Sequence, residues 1–160
     1  LNLHHNLNKV FFSLKNKLVK FLLILVLSQI VLGAFVSGLD AGLIYQTWPK
    51  MNYAYFPDDI DLSNFNLMSS FNQQSFVQFL HRNLAYLITA IVIFIGFKFY
   101  YFEKSKYFKS YLTVLLVLIS QILLGIFTLI SGLNLYLASF HQITSVILVF
   151  AVLNLNYKLT

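Results

Sequence analysis

Four long apolar runs alternate with polar stretches along the chain. The runs cover about residues 18–38, 76–101, 111–131 and 137–157. Each run supplies the roughly 20 apolar residues that an α-helix needs to cross a bilayer, which predicts four transmembrane helices. A basic polar segment, 1–17, precedes the first run, and a polar loop, 39–75, separates the first two. The pattern therefore predicts an all-α integral membrane protein with one four-helix domain over residues 18–157.

The composition agrees with a membrane protein. Of the 160 residues, 59% are hydrophobic and 10% are charged, whereas a soluble domain has about 25% charged residues. A water-facing surface cannot be built with so few charges, which excludes a soluble globular domain. The chain contains no cysteine, which also excludes disulfides, zinc–thiolate sites and iron–sulfur clusters.

The net charge of +6 is unevenly distributed between the two sides of the predicted membrane domain. Nine of the eleven basic residues lie on the side of the two termini: Lys9, Lys15, Lys17, Lys20, Lys98, Lys104, Lys106, Lys109 and Lys158. The other side holds only Lys50 and Arg82, together with four of the five acidic residues. The positive-inside rule therefore predicts that both termini are cytoplasmic. Because the charges follow the topology, we expect no nucleic-acid partner.

An internal repeat relates the first and third runs. Ser28–Phe35 and Ser120–Phe127 are identical at six of eight positions, and a Ser-Gly-Leu tripeptide follows each. The repeat predicts two parallel helix hairpins related by a pseudo-two-fold axis along the membrane normal. Chance similarity between low-complexity apolar helices is the alternative interpretation.

Glutamine and glycine occupy the same places in both copies of the repeat. Gln29 and Gly33 are four residues apart and share a helix face, as do Gln121 and Gly125. Small residues allow a neighbouring helix or a flat ligand to approach closely. The four positions therefore predict either plain helix packing or the walls of a cofactor slot.

Two histidines occupy equivalent depths in the second and fourth runs. His81 and His141 lie four to five residues inside their runs, which is roughly 6–8 Å below the helix ends. Imidazole suits iron, and helix bundles hold cofactors between inward-facing side chains. The pair therefore predicts a haem with two axial histidine ligands. Ordinary hydrogen-bonded histidines and a proton relay are the alternatives, and zinc is disfavoured because no third or fourth ligand occurs at that depth.

Other polar side chains lie near the predicted pair. Arg82 follows His81 and is a candidate for contact with a haem propionate, or alternatively it extends to the lipid headgroups. Lys50 is a weaker candidate for the same contact. Thr89, Ser145 and backbone carbonyls are the candidates for hydrogen bonds that orient the imidazoles.

Several motifs resemble the haem A synthase family, and specifically its carboxy-terminal half. They are Gly33–Tyr45, Trp48–Met51, Val77–Arg82 and Ala138–Gln142. The resemblance implies an eight-helix protein built from two pseudo-symmetric four-helix halves. This family oxidises a methyl group of haem O to a formyl group, which makes haem A for terminal oxidases. The resemblance further implies that His81 and His141 are the axial ligands of a haem b.

The same resemblance places the substrate haem O and a catalytic glutamate in the amino-terminal half of the family's proteins. The single glutamate here, Glu103, falls in the predicted cytoplasmic loop, so no catalytic residue is identified in this half. We expect the chain to bind haem b and pass electrons, and to require the amino-terminal half for the oxidation. The chain begins with Leu1 rather than methionine, which we interpret as a fragment or a processed product.

The expected partners are the lipid bilayer and the amino-terminal half of the same protein. The family resemblance adds a haem O synthase, an electron donor and a homo-oligomer as further candidates. We expect a bacterial inner membrane location, with the mitochondrial inner membrane as the alternative. Two other functional hypotheses stay open. One is a four-helix bis-histidine cytochrome b that carries electrons without its own catalysis, and the other is a cofactor-free membrane protein, such as a transporter half or an assembly factor.

Overall fold

A computed structural model describes residues 2–60, 70–102 and 107–159, with side chains described for 16–60, 70–98 and 107–159. Its helices are α1 (Asn2–Gly38), a short 3-10 helix (Ala41–Leu43), α2 (Gln74–Phe102), α3 (Phe108–Ile130) and α4 (Leu135–Leu159). Within the described residues, four helical segments are long and apolar enough to cross a membrane: Asn16–Gly38, Gln74–Lys98, Phe108–Ile130 and Leu135–Leu159. The predicted all-α fold of four membrane helices is confirmed.

The first helix is longer than the predicted span. It begins at Asn2, whereas the apolar run begins at about residue 18. Hydropathy detects only the part of a helix that is apolar enough for lipid, but a helix continues until a breaker interrupts it. No glycine or proline precedes Gly33, and these are the residues least compatible with a helix interior. The basic segment and the first span therefore form one continuous helix.

A tight turn connects α3 to α4. Gly132 and Leu133 adopt left-handed conformations, with φ of 70° and 62°. The Leu133 amide donates to the Thr128 carbonyl at 2.9 Å and the Gly132 amide donates to the Leu129 carbonyl at 3.3 Å, which is the Schellman pattern of helix termination. The side chain of Asn134 then accepts hydrogen bonds from the first amides of α4. Because the turn is so short, α3 and α4 must pack antiparallel.

The four helices form a ring. In it, α1 packs against α2 and α4, while α3 packs extensively against α4 and less extensively against α2. Because neighbours in the ring are α1–α2, α2–α3, α3–α4 and α4–α1, the helices α2 and α4 lie diagonally opposite each other. The two histidines are on these two helices.

The main close-packed apolar cluster lies toward one end of the bundle. We call this the basic end, and the opposite end, next to residues 39–60, the loop end. The core is formed by side chains from all four helices, among them Val19, Leu22, Val26, Ile88, Val92, Ile95, Tyr111, Val114, Leu118, Leu148, Val152 and Leu155. Large apolar side chains on the outside of the ring, such as Ile24, Phe97 and Phe150, are more than half exposed. Such an apolar exterior is solvated by a lipid bilayer rather than by water.

Candidate haem-binding site

His81 and His141 lie at the loop end of the bundle and at matched depth. His81 follows the first residue of α2 by seven positions, and His141 follows the first residue of α4 by six. Both therefore lie about 9–10.5 Å along their helices. The structure thus brings the histidines to one level of the bundle, on diagonally opposite helices.

The ring of His81 is held by the first helix of its own hairpin. The amide nitrogen of Gln29 lies 3.2 Å from Nε2 of His81 and donates to the His81 backbone carbonyl at 3.0 Å. One turn further along α1, a Cβ on Gly33 would lie 3.3 Å from Cε1 of the ring. The glycine therefore leaves the space that the imidazole occupies against α1.

The same arrangement recurs in the second hairpin. The amide nitrogen of Gln121 lies 3.4 Å from Nε2 of His141, and the Gln121 backbone carbonyl lies 3.1 Å from Nδ1. A Cβ on Gly125 would lie 3.0 Å from Cε1 of the ring. The glutamines and glycines of the repeat therefore share one task, which is to seat a histidine of the following helix.

The hydrogen bonds determine the tautomer of both histidines. Since a carbonyl can only accept, the Gln121 carbonyl requires a proton on Nδ1 of His141, which leaves Nε2 with a lone pair that accepts from the Gln121 amide. The His81 carbonyl likewise requires that the Gln29 amide present its NH₂ group to the ring, so that Nε2 of His81 is the acceptor. Both imidazoles therefore carry their proton on Nδ1 and present an Nε2 lone pair, the form in which neutral histidine binds a metal.

Several buried polar atoms around the histidines have no hydrogen-bond partner among the described residues. They are Nδ1 of His81 and the side-chain oxygens of Gln29 and Gln121. At the same level the two histidines, the two glutamines and the two glycines are only partly buried, in contrast to the closed core at the basic end. Unpaired buried polar groups are rare and call for an explanation. The residues present fit a haem with two Nε2 ligands, for which a loosely packed polar level between helices is suitable.

The hydroxyl groups proposed as orienting partners bond elsewhere. Thr89 donates to the Ala85 carbonyl at 2.8 Å, and Ser145 donates to the Gln142 carbonyl at 2.6 Å. These are ordinary bonds within a helix. The residues that contact the imidazoles are the glutamines, and the signal that could have found them is their identical position in the two copies of the repeat.

One face of α2 attaches the outer loop to the bundle beside His81. Gln74 donates to the Leu39 carbonyl at 2.6 Å, and Gln78 donates to the Tyr45 carbonyl at 3.0 Å. Residues four apart share a helix face, so the two glutamines form a short polar stripe. The stripe fixes the path of the loop over the loop end.

The chain also matches a model of a known family. The model for the cytochrome oxidase assembly proteins COX15-CtaA matches residues 13–153. The chain belongs to the COX15-CtaA family.

Curated relatives in this family are heme A synthases, which are oxidoreductases. The heme A synthase of Pelagibacter ubique is 42% identical over 154 residues, which cover 96% of this chain and 45% of the relative. That of Wolbachia pipientis wMel is 38% identical over 130 residues, covering 81% of this chain and 35% of the relative. That of Flavobacterium johnsoniae is 33% identical over 158 residues, which cover 97% of this chain and 46% of the relative. The chain thus spans less than half the length of these relatives.

No solved structure matches the chain significantly. Within the described residues, no group of three or more His, Cys, Asp or Glu side chains is placed to hold a metal ion. The candidate site in this COX15-CtaA family member is therefore the pair His81 and His141, which lie at one level of the bundle.

Arg82 extends the polar stripe of α2. Its guanidinium donates to the carbonyls of Tyr45 at 2.8 Å, Thr47 at 2.9 Å and Lys50 at 3.4 Å. Lys50 thus contributes its carbonyl to this contact. In the structure Arg82 holds the loop next to His81, and its contact with a propionate stays a prediction. Glu103 lies outside the described residues.

Tyr45 connects two parts of the outer loop, because its hydroxyl contacts the consecutive residues Asp58 and Asp59. The side chain is 3% exposed, and its hydroxyl lies 2.6 Å from Oδ1 of Asp58 and 2.9 Å from Oδ1 of Asp59. A phenol has one proton, so it donates to one carboxylate at a time. Burial, together with the two carboxylate acceptors, raises the pKa of Tyr45. The neutral phenol is therefore the form on which this part of the loop depends.

Proposed function

We propose that the chain is the carboxy-terminal, haem b-binding half of a haem A synthase. The whole protein would oxidise a methyl group of haem O to the formyl group of haem A for terminal oxidases. One observation carries the proposal: His81 and His141 each present an Nε2 lone pair, at matched depth, on diagonally opposite helices. The family membership and the coverage of less than half of each relative support the assignment to one half of a longer protein.

In this proposal the chain's own residues hold and orient the cofactor. His81 and His141 would hold the haem iron. Gly33 and Gly125 leave room for the imidazoles, and the loop attached through Arg82 limits the access of water from the loop end. Bound between two imidazoles, haem b supplies one-electron transfer. The oxidation itself, with its haem O substrate, belongs to the amino-terminal half.

The location and partners follow from the same proposal. Relatives from bacteria favour a bacterial inner membrane. The asymmetry of basic residues supports a cytoplasmic location of both termini. The loop end, with the candidate site, then lies near the outer surface of that membrane. The amino-terminal half is the first partner, and an electron donor, a haem O synthase and a second copy are further ones.

Spectroscopy of the purified chain tests haem binding. The chain is produced in a haem-synthesising host, extracted in detergent and examined by oxidised and dithionite-reduced spectra. We expect a low-spin b-type spectrum and about one haem per chain, as a site with two axial imidazoles implies. His81→Met and His141→Met replace an imidazole by a thioether, so we expect a raised reduction potential or loss of haem. His5→Ala, in the N-terminal segment, is the matched histidine control. A folded wild-type chain without a low-spin haem would contradict the proposal.

An electron carrier without its own catalysis is the second candidate, and it is favoured by the fact that both ligands come from this chain. A chimaera separates the two functions. The chain is joined to the part of the Pelagibacter ubique heme A synthase that it does not match, and is expressed in a strain lacking this enzyme. Haem A in extracted pigments supports the synthase. If the chimaera yields haem b but no haem A, while the intact Pelagibacter ubique enzyme makes haem A in the same strain, the result supports the electron carrier.

A further inference from the structure

The two imidazoles are not held in the same way. Nδ1 of His141 donates to the Gln121 backbone carbonyl at 3.1 Å. Nδ1 of His81 is buried and has no partner among the described residues. The repeat therefore reproduces the contact at Nε2 in both hairpins, but the contact at Nδ1 in only one of them.

The difference at Nδ1 bears directly on ligand strength. A hydrogen bond from Nδ1–H to a carbonyl fixes the ring and makes Nε2 a stronger donor to a metal, and loss of such a partner typically lowers metal affinity about 10–100-fold. His141 has this bond, and a backbone carbonyl cannot rotate away. His81 lacks it, so no hydrogen bond at Nδ1 within the described residues restrains its ring once Nε2 is released.

At Nε2 the side chain of Gln29 takes the place of a metal. Its amide donates to Nε2 of His81 at 3.2 Å and, through its second hydrogen, to the His81 carbonyl at 3.0 Å. The second bond keeps the amide beside the ring whether or not the first is made. Gln29 is therefore placed to receive the His81 ring whenever Nε2 is not bound to iron.

From this asymmetry we infer that the two axial ligands are unequal, with His141 the fixed ligand and His81 the exchangeable one. Gln29 is a positioning residue that holds the released His81 ring. The inference rests on the proposed haem b site. It gives the site a defined side, that of α2 and the outer loop, on which a small ligand can replace a protein ligand.

Paired ligand deletions test the inequality. Haem affinity is measured by titration of the apoprotein in detergent for His81→Ala and His141→Ala. We expect His81→Ala to bind haem about 10–100-fold more tightly than His141→Ala does. Added imidazole should restore the low-spin spectrum of His81→Ala, and its reduced form should bind carbon monoxide. Equal affinities, or tighter binding by His141→Ala, would overturn the inference. If both variants fail to fold, His81→Met and His141→Met take their place, with the same order of affinity expected.

A matched pair of glutamine variants tests the positioning role. Gln29→Leu removes the amide that holds the His81 ring, whereas Gln121→Leu preserves the backbone carbonyl that holds His141. We expect Gln29→Leu to weaken carbon monoxide binding by the reduced protein, because the released His81 ring loses the amide that receives it, and to shift the reduction potential. Gln121→Leu should change both less. Gln29→Glu keeps the length of the side chain but replaces its NH₂ group by an oxygen, and so tests whether the donor is required. Equal effects of the two leucine variants would contradict the positioning role.

The failure of the inference differs from the failure of the proposed function. A wild-type chain without a low-spin haem refutes both. A wild-type chain with a low-spin haem, together with ligand variants of equal affinity, refutes only the inequality and leaves the bis-histidine site intact.

Discussion

Replacing Gly125 by alanine tests directly how the ring of His141 is held. A Cβ at this position would lie 3.0 Å from Cε1 of His141, whereas carbon atoms prefer about 3.5–4.0 Å. The ring has little freedom to retreat, because its Nδ1 is bonded to the Gln121 carbonyl. A Cβ at Gly33 would lie 3.3 Å from Cε1 of His81, whose Nδ1 has no such bond. We therefore expect Gly125→Ala to be the more disruptive of the two.

The expected free energies follow from two opposing terms. Overpacking in a closely packed region typically costs about 1–3 kcal/mol, and alanine in place of glycine stabilises a helix by about 1 kcal/mol. For Gly125→Ala the difference is a net loss of about 1 kcal/mol, which lowers a thermal midpoint by about 2–4 °C in a protein of this size. For Gly33→Ala the overlap is only about 0.2 Å below the preferred range, and the two terms roughly cancel.

Two further glycines supply controls, and the assay reads stability and haem together. A Cβ at Gly38 meets no atom within 4 Å, whereas one at Gly96 collides with Tyr111 at the basic end. Thermal midpoints and haem spectra are recorded for each variant in detergent. Gly38→Ala should leave the spectrum unchanged and should not lower the midpoint, Gly96→Ala should lower only the midpoint, and Gly125→Ala should change both. The reasoning fails if Gly125→Ala matches wild type in both, or if Gly96→Ala alters the spectrum as strongly.

Two predictions concern the outer loop, which contains the single tryptophan, Trp48. Arg82→Leu removes charge-assisted hydrogen bonds worth about 1.5–3 kcal/mol each in favourable cases, so cleavage of the loop in limited proteolysis should accelerate about tenfold or more. Arg82→Lys should be cleaved at an intermediate rate. If Arg82→Leu resists proteolysis as well as wild type does, Arg82 does not attach the loop to α2. The raised pKa of Tyr45 means that the folded loop favours the neutral phenol. The contribution of Tyr45 to stability is therefore complete below about pH 10, the pKa of tyrosine in an unfolded chain, and is lost as the pH rises from there through the pKa in the folded state. Trp48 emission followed between pH 8 and 12 should show this transition in wild type but not in Tyr45→Phe, and an unchanged transition in that variant would refute the assignment to Tyr45.

The helices were predictable because lipid imposes a strong constraint on composition. A span must be apolar along about 20 residues, so the four runs and the turn at Gly132 could be read directly. The start of α1 at Asn2 could not, since a helix that leaves the membrane no longer needs apolar residues. The depth of the two histidines followed from their distance to the helix ends.

The contacts of the site were less predictable than its position. The sequence offers hydroxyl groups near the histidines, but Thr89 and Ser145 donate to backbone carbonyls of their own helices. Which face of α1 meets the His81 ring depends on the rotation of one helix against another, which an apolar sequence leaves almost undetermined. The role of Arg82 depends on the backbone path of the loop, and no residue pattern specifies that path.

The bundle separates stability from ligand binding along its length. At the basic end, apolar side chains from all four helices close the core. At the loop end, three buried polar atoms around the histidines have no partner in the described structure, and each such group costs about 1–3 kcal/mol. A bundle selected only for stability would replace these glutamines and histidines by apolar residues, which pack at least as well. The same Gln-Gly-His arrangement nevertheless occurs in both hairpins, so the cost is present twice. The closed core at the basic end is what makes that cost tolerable, and a ligand that uses the Nε2 lone pairs is what would compensate for it.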